Sequence, residues 1–328
     1  MDDRIGLLGF GAYVPERCMN NQEWTQYVDT TDEWITTRTG IKRRRIAADD
    51  ETTVDLAAAA AEVALADAGM AVQDVDEIIV ATDTPEVYTP DTAAFLQDRL
   101  GARRVPAFDL GGSGCAGFLL GLDLARARVQ QRDRRILVVG VELISRLMNW
   151  HDRNICVLFG DGAGAVVVGR AADAVEIVAA TAGTDGSKAD ILWLEAGGSR
   201  VPFSREVAAS GAHRKLVMKG REVFREAVHH MAAASRQVLE DAGLGIEDVA
   251  LVVPHQANLR IIQAVGGALG IAAERVFINV HEYGNTGSAS VPLALWEARQ
   301  MGRIAPGDLV LLTAFGAGFH WSAVLLQF

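Results

Sequence analysis

The chain contains one sequence pattern twice, 174 positions apart. Residues 64–81 (ALADAGMAVQDVDEIIVA) align with residues 238–255 (VLEDAGLGIEDVALVVPH), and six of the eighteen pairs are identical. A repeat period this long indicates a duplicated half-domain and not a stacked array of short units. Downstream of each copy, an apolar run leads to a Gly-Cys pair at Cys115 or to a Gly-Asn pair at Asn285. We therefore expect two similar halves with an active site where they meet.

Size and charge restrict the class of protein. A chain of 328 residues with 50% hydrophobic composition can bury a large core without metals or disulfides. Its net charge of −11 argues against nucleic acid as a partner, because duplex binding relies on a basic face. The basic run at residues 42–45 (KRRR) is interpreted as a solvated surface loop or an anion-binding edge. A phosphate-bearing small molecule also suits such a run.

The cysteines indicate a reducing compartment. Cys18, Cys115 and Cys156 are an odd number, lie far apart and show no C-x-x-C spacing, so we expect neither a disulfide framework nor a metal site. The N-terminal MDDRIGLLGF carries acid where a signal peptide requires base. No apolar run approaches the roughly 18 residues of a membrane span. We expect a soluble cytoplasmic protein that does not contact membranes.

Hydrophobic periodicity predicts alternating helices and strands, and hence α/β layers. Half one is expected to span residues 1–171 and half two residues 172–328. Residues 183–213 are expected to be irregular, as a flap between the halves. In half one we predict a helix at 54–68 and strands at 77–82, 135–141, 155–159 and 165–168. In half two we predict helices at 217–242 and 261–269, strands at 249–254 and 276–280, and a closing strand pair at 309–313 and 322–327.

Cys115 is the strongest candidate nucleophile. Its segment DLGGSGCAGF follows a predicted strand, supplies glycines for a tight turn and leads into a predicted helix. A helix N-terminus favours the thiolate, whereas an unperturbed cysteine, with a pKa of about 8.5, is mostly protonated at neutral pH. The alternative is a buried, inert cysteine. Cys18 and Cys156 lack the glycine turn and keep that interpretation.

His255 and Asn285 are the other candidate site residues. His255 lies in PHQAN at the end of a repeated strand, and the edge at which such strands end is where α/β folds bind ligands. A hydrogen-bonded core histidine is the alternative. Asn285 lies in the glycine turn YGNTGS, where asparagine often only tolerates a left-handed backbone. Its position equivalent to Cys115 favours a functional role.

Two glycine-rich segments are predicted to be hairpin turns. FGDGAG at 159–164 precedes AVVVG, which reads as a strand, whereas a dinucleotide fingerprint requires a helix at that point. AFGAGF at 314–319 also precedes a strand. The backbone N–H groups of such a glycine loop can line an oxyanion site.

Together these motifs resemble the thiolase-like condensing enzymes, and within them the β-ketoacyl-acyl carrier protein synthase III family. The resemblance runs from TDEWITTRTGIKRRR through FGDGAGAVVVG and PHQAN to GNTGSASVP and FGAGFHW. It implies a five-layered α/β/α/β/α fold of two duplicated halves and a homodimer. It also implies an acyltransferase that acylates its cysteine from acyl-CoA and condenses that group with malonyl-acyl carrier protein. Carbon dioxide and a 3-oxoacyl chain are the products, and acyl-CoA is a substrate, with no cofactor.

The chemistry of the residues fits that reaction. A thiolate exchanges with thioesters, so Cys115 can carry the acyl group, and His255 and Asn285 can donate hydrogen bonds to an enolate oxygen. The resemblance implies that the backbone N–H groups of Cys115 and Ala317 form the oxyanion hole. It assigns Phe315 and Thr89 to the acyl pocket, with Phe315 near the malonyl carboxylate. The residues implied to bind CoA are Thr30, Trp34, Arg38, Arg153, Met218, Gly220 and Asn258.

An acidic carrier protein requires a basic surface on this acidic chain. Residues 213–225 carry five Lys or Arg residues against Glu222, and Arg260 is expected to lie beside them. We expect Arg225 and Arg260 to contribute to docking. Thr89 stands where some family members carry a bulky aromatic residue, so we expect starters longer than acetyl to be accepted.

Three alternatives remain open from the sequence. A relative in secondary metabolism would move the Cys115 acyl group to another acceptor. A Cys-His-Asn hydrolase has the chain order of papain-like proteases, but this cysteine lacks their local signature. A non-catalytic acyl-CoA binding protein would not need all three polar residues.

Overall fold

The computed structural model describes residues 4–328. Residues 1–3, which include the acidic pair used above to argue against a signal peptide, lie outside the described residues. The strands are β1 (Arg4–Tyr13), β2 (Cys18–Asn20), β3 (Arg43–Arg45), β4 (Glu77–Thr82), β5 (Ala107–Gly111), β6 (Ile136–Leu143), β7 (Asp161–Ala171), β8 (Val175–Thr184), β9 (Leu192–Leu194), β10 (Leu216–Met218), β11 (Val249–Pro254), β12 (Leu309–Gly316) and β13 (His320–Gln327).

The helices separate these strands along the chain. They are α1 (Asp32–Thr39), α2 (Thr53–Asp67), α3 (Thr92–Arg99), α4 (Gly117–Gln131), α5 (Ile144–Leu147), α6 (Arg205–Ser210), α7 (Gly220–Asp241), α8 (Leu259–Leu269), α9 (Val280–Tyr283) and α10 (Ser290–Gln300).

Within residues 4–328, nine strands form one hydrogen-bonded array in the order β11-β12-β13-β8-β1-β7-β6-β4-β5. The array consists of two mixed sheets that join where β1 meets β8. That junction has only two residue pairs, Gly6 with Glu176 and Leu7 with Val175. The repeated segments supply β4 and β11, so the duplication seen in the sequence corresponds to one strand in each sheet.

Two helices occupy the space between the sheets. Helix α4 contacts β4 and β6 of the first sheet and β8 and β13 of the second. Helix α10 likewise contacts β1 and β7 of the first sheet and β11 and β12 of the second. Their buried side chains share one apolar cluster with strand residues from both sheets, including Leu122 and Leu295. This is the central layer of the five.

The outer faces of the sheets are covered by separate helices. Helices α2 and α3 pack on the first sheet, and α7 and α8 pack on the second. The strands are buried on both faces: in β4, Ile78 and Val80 face the outer cluster while Ile79 faces the central one. Side chains of a strand alternate between faces, so a near-continuous apolar run is needed. The α/β/α/β/α architecture predicted from the sequence is confirmed.

Most of the predicted elements match closely. Helix 54–68 corresponds to α2, strands 77–82 and 249–254 correspond to β4 and β11 at the same residues, and the closing pair corresponds to β12 and β13. The AFGAGF segment is the predicted hairpin, with Gly316 paired to His320. Strand β7 ends at Ala171 and β8 begins at Val175. The division into residues 1–171 and 172–328 stays a prediction.

The predicted strand at 276–280 is wrong. Only Val276 makes a bridge, to Val252, and α9 begins at Val280. The Gln256 side chain replaces the strand ladder: its Oε1 accepts from the N–H groups of Asn279 at 2.9 Å and Val280 at 3.1 Å. A side-chain amide thus satisfies the backbone that a neighbouring strand would otherwise pair.

Other predictions for the elements need correction. Residues 155–159 form turns, not a strand, since their N–H groups bond backward to Asp152 and Ile155. The long helix begins at Gly220, not 217, because residues 216–218 pair with β9. FGDGAG is not a hairpin: from Asp161 onward it lies inside β7, between β1 and β6.

The basic run at 42–45 is not uniformly solvated. Arg44 is fully buried, and its guanidinium donates to Asn21 Oδ1 at 2.7 Å and to the Val157 carbonyl at 2.6 Å. Burial lowers the pKa of Arg44 to about 10. Among residues 4–328, no helix is both long and apolar enough to cross a bilayer.

We predict that Leu122→Ala, which leaves a cavity between the sheets, lowers the free energy of unfolding by about 2–5 kcal/mol. Gln130→Ala on the exposed face of the same helix is the control, and should change it by less than about 0.5 kcal/mol. Denaturant unfolding monitored by circular dichroism measures both. Equal stability of the two variants would contradict a packed central layer.

Candidate active site

Cys115 lies in the turn between β5 and α4. The turn is held by Ser113, whose Oγ donates to the Leu110 carbonyl at 2.7 Å, and by Gly114, whose N–H donates to Asp83 Oδ1 at 3.2 Å. Helix α4 begins two residues after the cysteine. The predicted placement of the thiol at the N-terminal end of a helix is therefore confirmed.

Two glycines allow the β12–β13 hairpin to approach this turn. Gly114 has a φ of +59°, and a Cβ built on it would lie 2.5 Å from the backbone nitrogen of Ala317. A Cβ built on Gly316 would lie 2.3 Å from the backbone nitrogen of Cys115. A side chain at either position would separate the two backbones. Their close contact brings the backbone nitrogen atoms of Cys115 and Ala317 into the same region, where the hairpin meets the thiol turn.

The surroundings of Cys115 disfavour the thiolate. Desolvation raises the pKa of the thiol, as do the charges of Asp83 and Glu142. The Asn285 side chain and the backbone N–H of Cys115 act in the opposite direction but are outweighed. The sequence analysis predicted a net lowering from the helix end. It could not include the two carboxyl groups, which arrive from β4 and β6.

His255 follows β11 and is almost completely buried. Its backbone N–H donates to the Thr313 carbonyl at 2.8 Å, which continues the β11–β12 ladder by one residue. The Nδ1 atom is buried without a hydrogen-bond partner within residues 4–328. Burial lowers the pKa of the imidazole to about 3, so the ring is neutral at physiological pH.

Asn285 is fixed by the turns of residues 155–160. Its N–H donates to the Leu158 carbonyl at 2.8 Å, and its carbonyl accepts from the N–H of Gly160 at 3.0 Å. The side-chain Oδ1 accepts from the N–H of Gly287 at 2.9 Å and lies 4.0 Å from Cys115 Sγ. Residues 155–159, predicted as a strand, therefore form part of the support of a site residue, together with Gly160.

Cys115, His255 and Asn285 line a single cavity of about 270 Å³. The cavity thus brings together three residues that are up to 170 positions apart in the chain. The other predicted site residues in its wall are Arg38, Met218, Gly220, Asn258, Arg260 and Phe315. Sequence reasoning missed its apolar wall, formed by side chains such as Leu158, Leu192, Val223, Phe224 and Met231. The amphipathic pattern of α7 indicates burial of Met231, but not which surface it faces, and Phe224 remains 40% exposed at the cavity wall.

A second cavity of about 860 Å³ lies beyond the cysteine turn. Gly111, Gly112 and Ala317 line it, and Leu192 contributes to both cavities. Thr89 is exposed and lies outside both linings, although its neighbours Tyr88 and Pro90 line the larger cavity.

The remaining predicted CoA-binding residues lie around α1. Trp34 has the guanidinium carbon of Arg38 at 4.6 Å and that of Arg153 at 4.7 Å from its ring centroid. Arg153 is also held by the Asp29 carbonyl, to which it donates at 2.9 Å. Thr30 is buried and lines neither cavity. Asn258 caps α8 and donates to the Arg38 carbonyl at 3.3 Å, so the cavity and α1 are linked.

The two predicted docking residues differ in their surroundings. Arg225 on α7 is 70% exposed and pairs with Glu226 at 2.9 Å. Arg260 on α8 donates to the Thr37 carbonyl at 3.0 Å and lines the smaller cavity. Arg225 belongs to the surface, whereas Arg260 belongs to the mouth of the site.

Two family models match the chain. The model described as 3-Oxoacyl-[acyl-carrier-protein (ACP)] synthase III matches residues 108–186, and the model described as its C terminal matches residues 239–328. Cys115 falls in the first match, and His255 and Asn285 fall in the second.

Curated relatives match over the full length. The beta-ketoacyl-[acyl-carrier-protein] synthase III of Oleidesulfovibrio alaskensis is 49% identical, with 100% of both chains covered. The protein of that name from Caldanaerobacter subterraneus is 47% identical over 98% of this chain and 97% of the relative.

Solved structures agree in fold. The 3-oxoacyl-[acyl-carrier-protein] synthase III of Aquifex aeolicus has a TM-score of 0.90 at 44% identity, covering 99% of this chain and 100% of that one. A priming beta-ketosynthase of the R1128 polyketide pathway has a TM-score of 0.90 at 37% identity, covering 100% and 98%. With full-length identity of this degree, the chain belongs to the 3-oxoacyl-[acyl-carrier-protein] synthase III family.

Proposed function

We propose that this protein is an acyltransferase that starts acyl-chain synthesis. An acyl-CoA acylates Cys115, and the acyl-enzyme then condenses with malonyl-acyl carrier protein to give 3-oxoacyl-acyl carrier protein. The observation that carries the proposal is the shared cavity of Cys115, His255 and Asn285, with 4.0 Å between Cys115 Sγ and Asn285 Oδ1. The curated relatives with this family's name support the reaction class.

In the first step, Cys115 Sγ attacks the thioester carbonyl of acyl-CoA. The carbonyl oxygen becomes an oxyanion, which the backbone N–H groups of Cys115 and Ala317 stabilise. The bond to the CoA sulfur then breaks, and CoA leaves as a thiol with the proton that Cys115 loses. Because desolvation disfavours the free thiolate, we propose that the thiol ionises only as the substrate binds.

In the second step, the malonyl thioester loses carbon dioxide and leaves an enolate. His255 and Asn285 donate hydrogen bonds to the enolate oxygen, and the enolate carbon attacks the acyl-enzyme carbonyl. Cys115 leaves as the thiolate and takes up a proton from solvent, which restores the thiol for the next cycle. The imidazole pKa of about 3 supports a neutral His255, which donates through its ring N–H. Phe315 presents an apolar surface to the malonyl carboxylate, which favours its loss as neutral carbon dioxide.

We propose that CoA enters along α1 and through the smaller cavity. Trp34 and Arg153 would hold the adenine, Arg38 the phosphate, and Met218, Gly220 and Asn258 the pantetheine arm. Thr30, buried beside α1, would support this wall. We further propose that the larger cavity beyond Ala317 takes the acyl chain, since its walls include Leu147, Leu194 and Trp193 among other apolar side chains.

A homodimer is also proposed. The loop before α3 exposes Tyr88 at 85% and Val87 at 42%, next to the opening of the larger cavity. Exposed apolar side chains grouped on one loop indicate an interface. The loop would then present Thr89 to the acyl pocket of the second copy. We propose a cytoplasmic location, where Cys115 stays reduced.

We predict that incubation with acyl-CoA adds one acyl group to Cys115, and that Cys115→Ala abolishes the adduct. Intact-protein mass spectrometry with acetyl-, hexanoyl- and dodecanoyl-CoA measures adduct formation and ranks the starters. Adducts from hexanoyl-CoA are expected, because a cavity of about 860 Å³ adjoins the thiol turn. Cys156→Ala, at a buried cysteine outside both cavities, is the control.

An adduct confined to acetyl-CoA would contradict the proposed acyl pocket. Equal labelling of the Cys115→Ala variant would contradict the nucleophile and would favour a non-catalytic acyl-CoA binding protein.

We predict that His255→Ala and Asn285→Ala still form the acyl-enzyme but lose condensation. Removing one hydrogen-bond donor to the developing oxyanion should lower kcat by roughly 100- to 1000-fold. Single-turnover mass analysis of the acyl-enzyme, with and without malonyl-acyl carrier protein, separates the two steps. Failure of acylation in both variants would instead assign these residues to the first step.

We predict that Arg225→Glu raises the KM for malonyl-acyl carrier protein roughly fivefold, the scale of about 1 kcal/mol for an exposed charge contact. The KM for acyl-CoA should stay unchanged, because Arg225 lies outside the cavity. Arg104→Glu, an exposed charge reversal elsewhere, is the control. Equal carrier-protein kinetics in the two variants would exclude docking at α7.

One alternative acceptor has a specific observation behind it. The priming beta-ketosynthase named above belongs to a polyketide pathway and resembles this chain over its whole length. A role in secondary metabolism with another acceptor is therefore the second candidate, and the same single-turnover assay with different acceptors distinguishes it. A Cys-His-Asn hydrolase receives no support from the family assignment, and a casein hydrolysis assay is its direct test.

A further inference from the structure

A buried carboxyl group lies behind the active site and has no part in the steps above. Glu142 is at the end of β6 (Ile136–Leu143), where its side chain is 1% exposed. No Lys, Arg or His within residues 4–328 forms an ion pair with it. A buried carboxylate without a cation is costly, so its hydrogen bonds need a specific explanation.

Glu142 holds the loop that supports the cysteine turn. Its carboxyl oxygens accept from the N–H of Asp83 at 3.1 Å and 3.2 Å and from Thr84 Oγ1 at 2.9 Å. Asp83 in turn accepts the N–H of Gly114 at 3.2 Å, directly before Cys115. Two hydrogen-bonded contacts therefore connect Glu142 with the turn that carries the nucleophile.

Glu142 also holds the turn that carries Asn285. Its Oε1 lies 3.0 Å from Ser288 Oγ. A Cβ built on Gly287 would lie 2.6 Å from Glu142 Cγ, so this turn packs directly on the Glu142 side chain. The N–H of Gly287 donates to Asn285 Oδ1 at 2.9 Å. The one side chain thus contacts the supports of both site residues.

The hydrogen bonds of Ser288 tie Glu142 to the neighbouring strand as well. Ser288 Oγ lies 2.8 Å from the Ala81 carbonyl of β4 and 3.0 Å from Glu142 Oε1. The N–H of Ser288 also donates to Glu142 Oε1, at 3.5 Å. Burial and, after it, the Asp83 carboxyl raise the pKa of Glu142 above its usual range, while the hydrogen bonds from Thr84, Asp83 and Ser288 act in the opposite direction.

We propose that Glu142 is a positioning residue that sets the separation of Cys115 and Asn285 by joining their two turns. The role in condensation rests on the proposed function, whereas the hydrogen bonds do not. Glu142 accepts hydrogen bonds from Ser288 in the Asn285 turn and from the loop behind the Cys115 turn, so one side chain links the supports of the two site residues.

The same placement gives Glu142 an electrostatic effect on the thiol. The titratable groups around it are Asp83 after β4, Cys115 before α4 and His320 of β13, which acts on Asp83. The turn at residues 285–288 contributes none. When Glu142 ionises, its negative charge raises the pKa of Cys115, and removal of the carboxyl therefore shifts thiol ionisation to lower pH.

Two substitutions separate positioning from simple packing. Glu142→Gln keeps the shape and the contacts to both turns, since its Oε1 accepts from the Asp83 loop and its Nε2 donates to Ser288 Oγ, but it removes the negative charge. Glu142→Ala removes both sets of contacts. Glu77→Gln is the matched control, because Glu77 is also fully buried but lies at the far end of β4, paired with Arg128 and Arg134.

Two measurements are made on each variant: the condensation rate with acyl-CoA and malonyl-acyl carrier protein, and the pH dependence of Cys115 alkylation by iodoacetamide, followed by mass. Glu142→Gln should keep most of the condensation rate while its alkylation midpoint moves to lower pH. Glu142→Ala should lose condensation by roughly 100-fold, the scale for a misplacement of about 1 Å. Glu77→Gln should match the unsubstituted protein in both.

Equal condensation rates in the Gln and Ala variants would overturn the positioning role, and so would loss of condensation in Glu142→Gln. If Glu142→Ala does not fold, the condensation rate of Glu142→Gln tests the positioning role by itself. An unchanged alkylation midpoint in Glu142→Gln would overturn the electrostatic link. An unsubstituted protein that neither acylates nor condenses would refute the proposed function. Alkylation needs no physiological substrate, so the effect of Glu142 on Cys115 could still be measured in that case.

Discussion

The packing of α4 and α10 between the two sheets is the interaction on which the site depends. Both helices bury their side chains in one apolar cluster with strands from both halves. Both also begin at the site: the Cys115 turn leads into α4, and the turn of Asn285 leads into α10. The helix positions are fixed by burial of apolar area, the largest favourable term in folding. The core therefore places the two turns, and polar contacts such as those of Asn285 with Leu158 and Gly287 fix the side chains within them.

The sequence predicted the parts of the fold that depend on local patterns. The repeated strands β4 and β11, the hairpin at Gly316 and the cysteine at a helix start all follow from apolar periodicity and glycine placement. The prediction failed at residues 276–280, where an apolar run looks like a strand. There the Gln256 side chain accepts hydrogen bonds from the backbone N–H groups of Asn279 and Val280. Such a long-range contact cannot be predicted from hydrophobic periodicity.

The same limit applies to the site. Cys115, His255 and Asn285 could be selected from the motifs, but the raised pKa of the thiol could not, since it depends on desolvation and on carboxyl groups of other strands. Glu142 gave no signal in the sequence, where it directly follows the strand predicted at 135–141. Thr89 shows the reverse case: a motif position identified it, but it is exposed and lines neither of the two cavities described above.

The junction of the two sheets has a wider consequence. Only two residue pairs connect β1 with β8, so the strand ladder itself holds one sheet weakly against the other. The relative position of the sheets therefore depends on the volumes of the side chains in the central layer together with the polar contacts around Asn285 and Glu142. A change of volume there, even far from the cavity, alters the relative position of Cys115 and Asn285. Sequence drift in the interior of this fold is thus constrained by catalytic alignment as well as by stability.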